Sequence, residues 1–488
     1  MRRDASITAL RERYGPRYRW LLLLSLMVGS MASIMSSTIV NVAIPGMSQH
    51  FAIGQERAQW VSSGFMVAMT ASMLTTPWLL ARFGYRTVYA ATMVLLMAGG
   101  IVGGLADNYT LVLAARAAEG LAAGVVQPIP AIVILRGFGQ QEQGRASGIF
   151  GMGAVLAPAI GPSIGGVLVD LFGWRSIFFM VVPFCLVSLV LAFRFVPDSA
   201  PGGAAAERSS ALDWRGLVLG SVGTLCLLNG LVELRGGGGG AWLLLAGAAL
   251  ALVGFIAWER RQLATGREPL MNLRLFAHRT FTMGSIVAFI YGTALFGSTY
   301  LLPLYMQVGL ALSPSYVGTI LLPAGIVLAV TIPLVGRLAD RQPTYLLVSI
   351  GLALLALSFA LMVTVNSGRS MALLIAWAVL GRIGLGFILP SLNIGSMRSL
   401  DKNLIAYGAS AINFLRMLGG ACGVSLCAIV LEWRLAAHGD SLANAATSPA
   451  RLAAFHEAFW MLAALCGLAL VAAWQLRDRP QSESPATI

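Results

Sequence analysis

Apolar runs of about eighteen residues or more recur along nearly the whole chain, and no other feature limits its folding so severely. A run of that length crosses a bilayer as a helix, because lipid leaves backbone amides and carbonyls no partners but each other. Counting such runs gives fourteen spans: 20–44, 58–80, 88–106, 110–134, 147–170, 176–196, 214–233, 241–258, 280–304, 315–336, 345–365, 371–396, 405–431 and 455–475. Composition agrees, with 57% hydrophobic and 11% charged residues and a mean hydropathy of +0.79. No polar stretch is long enough for a soluble domain, so the expected fold class is an all-α polytopic membrane protein.

An even number of spans puts both termini on one side. With the N-terminus inside, 24 of the 33 basic residues fall in cytoplasmic segments, among them Arg11, Arg13 and Arg17 in the tail and Arg82 and Arg86 after the second span. Short loops rich in Arg stay in the cytoplasm, so the expectation is N-in and C-in. The same distribution accounts for the net charge of +13. Its basic residues are scattered, without an aromatic platform or a folded basic domain, and meet anionic lipid rather than nucleic acid. The basic start is read as an uncleaved first span, because the apolar run after it is too long for a signal peptide.

The halves repeat. "PWLLARFGYR" (Pro77 to Arg86) after the second span is echoed 259 residues on by "GRLADRQPTY" (Gly336 to Tyr345) after the tenth. More faintly, Arg116, Gly120 and Pro128 return as Arg382, Gly386 and Pro390. The expected units are a basic tail (1–19), a six-span bundle (20–196), a linker with two extra spans (197–279), a second six-span bundle (280–476) and a C-terminal tail (477–488). Two similar bundles rocking around a midplane site make a secondary transporter.

Enzymatic chemistry finds no foothold. The four histidines, His50, His278, His438 and His456, are expected in loops, and no phosphate-cradling glycine loop is present. The five cysteines lie in spans without metal-ligand spacing, so neither metal nor cofactor is expected. A charge near the bilayer centre costs about 2.5–3.5 kcal/mol on insertion scales, which singles out Arg116, Glu119, Arg382 and Arg416. Arg116 and Glu119 are three apart and neighbours on one helical face, suited either to self-neutralisation or to proton coupling or substrate binding. Polar groups within spans, Ser36, Asn41, Gln127, Gln307, Asn413 and Arg416, are candidates for a substrate cavity.

The segment "GAVLAPAIGPSIGG" (Gly153 to Gly166) carries four glycines and two prolines, a load that would break a soluble helix. In lipid, small residues let backbones approach closely. Gly153, Ala157, Gly161 and Gly165 recur every four residues, with Pro158, Pro162 and Gly166 beside them, as a stripe expected to slide or seal against the opposite bundle.

Together these residues resemble the major facilitator superfamily and, within it, the fourteen-span EmrB/QacA-type multidrug:proton antiporters. The resemblance rests on "SSTIVNVAIP" (Ser36 to Pro45), "RAAEGLAAG" in span 4, the Gly153–Gly166 antiporter motif, "GRLADR", "LLPLYMQ", "LLPAG" and "NFLRMLGGACG". It implies two six-helix bundles plus two central helices, and export of amphipathic compounds in exchange for protons across a bacterial inner membrane. It further implies a gating loop at Gly336, Asp340 and Arg341, with Arg82 and Arg86 as first-half counterparts. Transport of a defined metabolite, a non-transporting sensor, and completion by a periplasmic adaptor and outer-membrane channel stay open. Three departures stand out: Ala81 replaces the loop acid, Ser36 replaces an acid in span 1, and Glu119 replaces a glutamine in span 4.

Overall fold

The computed structural model describes residues 7–199, 211–235, 239–365, 371–442 and 448–477, and these residues form helices and short connections without a strand. In chain order the helices are α1 (Ile7–Tyr14), α2 (Tyr18–His50), α3 (Gln55–Ala58), α4 (Trp60–Met73), α5 (Thr76–Phe83), α6 (Tyr85–Leu105), α7 (Tyr109–Val126), α8 (Ile129–Gly137) and α9 (Gln143–Phe172). They continue with α10 (Ser176–Phe195), α11 (Trp214–Arg235), α12 (Gly240–Ala264), α13 (Arg279–Leu304), α14 (Pro314–Ala339), α15 (Thr344–Met362), α16 (Met371–Gly395), α17 (Ile405–Ala437) and α18 (Pro449–Trp474). Glycines at φ 80° (Gly84) and 77° (Gly173) end α5 and α9, and Asn108 caps α7 by accepting the Leu111 amide at 2.7 Å.

Among the described residues twelve helical stretches are long and apolar enough to cross a membrane, and α4 with α5, bent by 58° at their junction, brings the number to thirteen. The expected span 147–170 lies in the 30-residue α9, part of whose side chains, Pro162 among them, falls outside the described residues. Large apolar side chains point outward along the spans, with Leu243 78% and Leu250 76% exposed, as lipid-facing helices require.

Two expectations change. The tail at 1–19 contains a helix, α1, with Leu10 buried in the main core, while Arg19 pairs with Glu142; residues 1–6 lie outside the described part, as does nearly all of the 477–488 tail. His456 is inside α18 and not in a loop, because the run that begins at Pro449 continues as helix through it.

The repeat is written into the packing. In the first half α2 packs on α9 and α10, α7 on α4 and α6, and α6 on α10. In the second half α13 packs on α17 and α18, α16 on α14 and α15, and α15 on α18. Each of these five pairings has its counterpart in the other half. The halves meet along two seams: α9 against α14 and α16, and α17 against α4, α5 and α8. The extra hairpin α11–α12 lies over the second seam, with α11 touching both α4 and α17.

Candidate functional site

Two glycines on α7 fix the position of the charge pair. A Cβ on Gly120 would come 2.4 Å from the Phe65 carbonyl, and one on Gly124 would come 2.0 Å from that of Met69, so α7 lies directly against α4. Arg116, one turn before Gly120 on the same face, then reaches across α4. Its Nε donates to the Val61 carbonyl at 3.1 Å and its guanidinium lies 4.2 Å from the Phe65 ring centre. Glu119 points between α2 and α6, where Gly99 makes room for it: a Cβ there would sit 2.6 Å from Glu119 Cγ.

The three side chains form a closed triangle. Arg116 Nη1 donates to Glu119 Oε2 at 2.5 Å and to Ser36 Oγ at 2.8 Å, and Ser36 Oγ donates to Glu119 Oε2 at 3.2 Å. All three are buried, Glu119 completely. Arg116 Nη2 and Glu119 Oε1 keep a donor and an acceptor without partners among the described residues. The ion pair lies within α7, and the Ser36 hydroxyl, bonded to both of its members, ties it to α2.

The other expected cavity residues do not gather around this triangle. Asn41 and Gln307 are exposed and Gln127 is half-buried. Asn413 is buried and spends its amide locally, donating to the Ala409 carbonyl at 2.9 Å and accepting from Arg416 at 2.6 Å.

At the end of the molecule that carries the Arg-rich short loops, the halves are latched. Asp340, just after α14, accepts the backbone amides of Gly144 at 2.6 Å and Arg145 at 2.9 Å, capping the first turn of α9 from the opposite half. Burial at the seam lifts its carboxyl above the usual carboxylate range, and the two amide donors oppose that shift. Gly336 lies so close to α9 that a Cβ on it would be 2.4 Å from the Gly144 carbonyl, and Arg136 on α8 donates to the Lys402 carbonyl at 2.6 Å. Arg82 and Arg341 are exposed. Arg86 serves its own half instead, donating to the Val196 carbonyl at 2.8 Å with Asp198 at 3.5 Å.

The small-residue stripe lies elsewhere than expected. Gly153 abuts Met27, Gly161 abuts Thr38 and Met35, and Gly165 abuts Ile39, all on α2 of the same half. Ala157 is buried, Pro158 half-buried, and Gly166 has open space around it; Pro162 lies outside the described side chains. Contact with the opposite half is made earlier on α9, by Gly144, Gly148 and Gly151 against Gly336, Ile332 and Pro333. At Gly64, Gly318 and Gly325 an added Cβ would meet nothing within 4 Å.

Two repeated bundles with matching helix pairs and a glycine latch at one end are now joined by a match over most of the chain: the Major Facilitator Superfamily description fits residues 26–424. The chain belongs to the major facilitator superfamily. It is similar to a "Multidrug resistance protein B homolog" of Mycobacterium tuberculosis, 29% identical over 85% of this chain and 77% of the relative. It is also similar to the "Lincomycin resistance protein LmrB" of Bacillus subtilis, 26% identical over 84% of this chain and 85% of the relative. A solved structure titled "human organic anion transporter MFSD10 (TETRAN)" superposes with a TM-score of 0.67, covering 93% of this chain and 99% of its own, at 16% identity; that likeness concerns the fold alone. As a member of the major facilitator superfamily the chain is a transporter and not an enzyme.

Sequence reasoning missed Val61, Phe65 and Gly144 within this major facilitator site. A carbonyl acceptor and an aromatic ring among many leave no spacing signal. Gly144 and Gly148 do leave one, four apart on the run that leads into the stripe.

Proposed function

We propose that this chain exports amphipathic drugs or other toxic compounds across a bacterial inner membrane in exchange for protons, through fourteen spans with both termini cytoplasmic, and that Glu119 with Arg116 is its coupling group. One observation carries the reading: Ser36 stands where the resemblance gives span 1 an acid, and its hydroxyl is bonded to Glu119 Oε2 at 3.2 Å. Span 4 thus brings a carboxylate to the place where span 1 lacks one. The drug-resistance names of two relatives support the substrate class.

The chemistry follows from the triangle. While ionised, Glu119 ties Arg116 and, through Ser36, α2 to α7. Protonation removes the charge that Arg116 neutralises and so weakens the triangle that ties α2 to α7, leaving Arg116 its bonds to Ser36 and Val61. Proton uptake and release at Glu119 thereby become linked to helix movement. The latch closes the basic, cytoplasmic end in this state, as in the outward-facing half of an alternating-access cycle.

Glu119→Gln tests the reading. Gln keeps an acceptor for Arg116 and Ser36 but cannot ionise. In proteoliposomes the variant is expected to lose pH-gradient-driven transport roughly tenfold or more while retaining counterflow of labelled substrate. Unimpaired gradient-driven transport would place coupling at another residue.

A further inference from the structure

The two halves treat their related arginines differently. Arg116 has Glu119 three residues on, whereas Arg382, its counterpart in the repeat, has Leu385 there. Among the described residues Arg382 has neither a hydrogen bond nor an ion pair, and Arg416 has only the Asn413 amide on its own helix. Both are half-buried, on α16 and α17, and α13, which carries the buried Tyr291, packs against both helices; a Cβ on Gly292, the neighbour of Tyr291, would come 2.0 Å from the Arg416 carbonyl. The described acids of the second half, Asp340, Asp401, Glu432, Asp440 and Glu457, stand at or toward helix ends. Glu119, the acid at mid-bundle, is occupied by Arg116. Two guanidinium groups at membrane depth therefore lack a counter-charge among the described residues.

We infer that Arg382 and Arg416 form the anion-binding end of the substrate site, so that the transported amphipath carries a carboxylate, sulfonate or similar anionic group, seated on the two guanidinium groups beside the Tyr291 hydroxyl. A planar guanidinium, always charged and weakly hydrated, suits such a group in a low-dielectric setting. The arrangement also explains why the second half needs no partner for its repeated arginine: the partner arrives and departs with each turnover. The inference rests on the export reading but concerns which compounds are exported, not how export is driven.

Equilibrium dialysis of the purified full chain with radiolabelled naphthalene sulfonate and naphthyl trimethylammonium tests it. Sulfonate binding is expected to be saturable and to weaken roughly tenfold or more in Arg382→Gln and in Arg416→Gln. Partial recovery is expected in the Lys variants, and monodisperse elution serves as the check on folding. Trimethylammonium binding is expected to be weaker in the wild type and unaffected by the Gln changes. Sulfonate binding unchanged in both Gln variants overturns the inference, as does tighter binding of the cation. A comparison in chloride and in gluconate separates the sources of charge: complete displacement of the sulfonate by chloride would make this an inorganic-anion site and also overturn it. Glu119→Gln distinguishes the two readings, since lost gradient-driven export with intact sulfonate binding leaves the anion site standing. Gradient-driven export of cations alone leaves the coupling reading standing without the anion site.

Discussion

At the scale of single residues the central fact is that Arg116 and Glu119 neutralise each other where neither could stand alone. Removing one member of a buried pair leaves an uncompensated charge, at a cost of about 3–5 kcal/mol. Arg116→Met is therefore expected to lower the melting temperature in detergent sharply, and Arg116→Met with Glu119→Leu to recover most of the loss, because no charge remains to strand. Equal destabilisation of the single and double variants would mean that packing, and not charge, holds the site. The pair was legible in the sequence through its spacing of three, which any helix turns into adjacency. Ser36 was legible as a polar group within a span and as a departure from the family pattern. That it touches Glu119 was not, because the contact spans 83 positions in sequence and depends on how α2 leans on α7.

At the scale of elements α9 shows how a stripe of small residues can be assigned to the wrong neighbour. A helix turns about 100° per residue. Gly144 and Gly153, nine residues apart, are therefore half a turn out of phase and serve opposite faces, one against α14 and the other against α2. Small-residue spacing reveals that close approach occurs; it does not say to which helix. Gly148→Leu should consequently obstruct closure at the basic end, whereas Gly161→Leu should destabilise the α2–α9 contact within the first half. Spin labels at Gln141 and Arg337 are expected to move apart in the first variant and to keep their wild-type distance in the second. Movement in both would return the stripe to the seam. Asp340→Ala removes the cap supplied from the other half, worth about 1 kcal/mol, and is expected to shift the same label pair roughly fivefold toward the separated population. Leu156→Ile, which preserves volume, is expected to leave both distances and stability almost unchanged.

For the whole molecule, hydropathy revealed the spans and the motif echo revealed the halves, since both are written at the level of single helices. The 58° bend between α4 and α5 and the seat of the hairpin were hidden, because each depends on which helices lie side by side. The fourteen-span reading makes a direct expectation: tags at both termini are cytoplasmic, and a cysteine introduced into the 435–450 loop reacts with an impermeant reagent added outside. Labelling of that loop only after permeabilisation would defeat it. The hairpin has a further consequence. With α11 laid across α4 and α17, one side of the molecule presents a continuous wall to the surrounding lipid tails, whereas the α9–α14 side has no such covering helix among the described residues. For a compound already dissolved among acyl chains, the approaches from left and right are not equivalent. The uncovered flank is also the one whose glycine-lined edge Asp340 fastens.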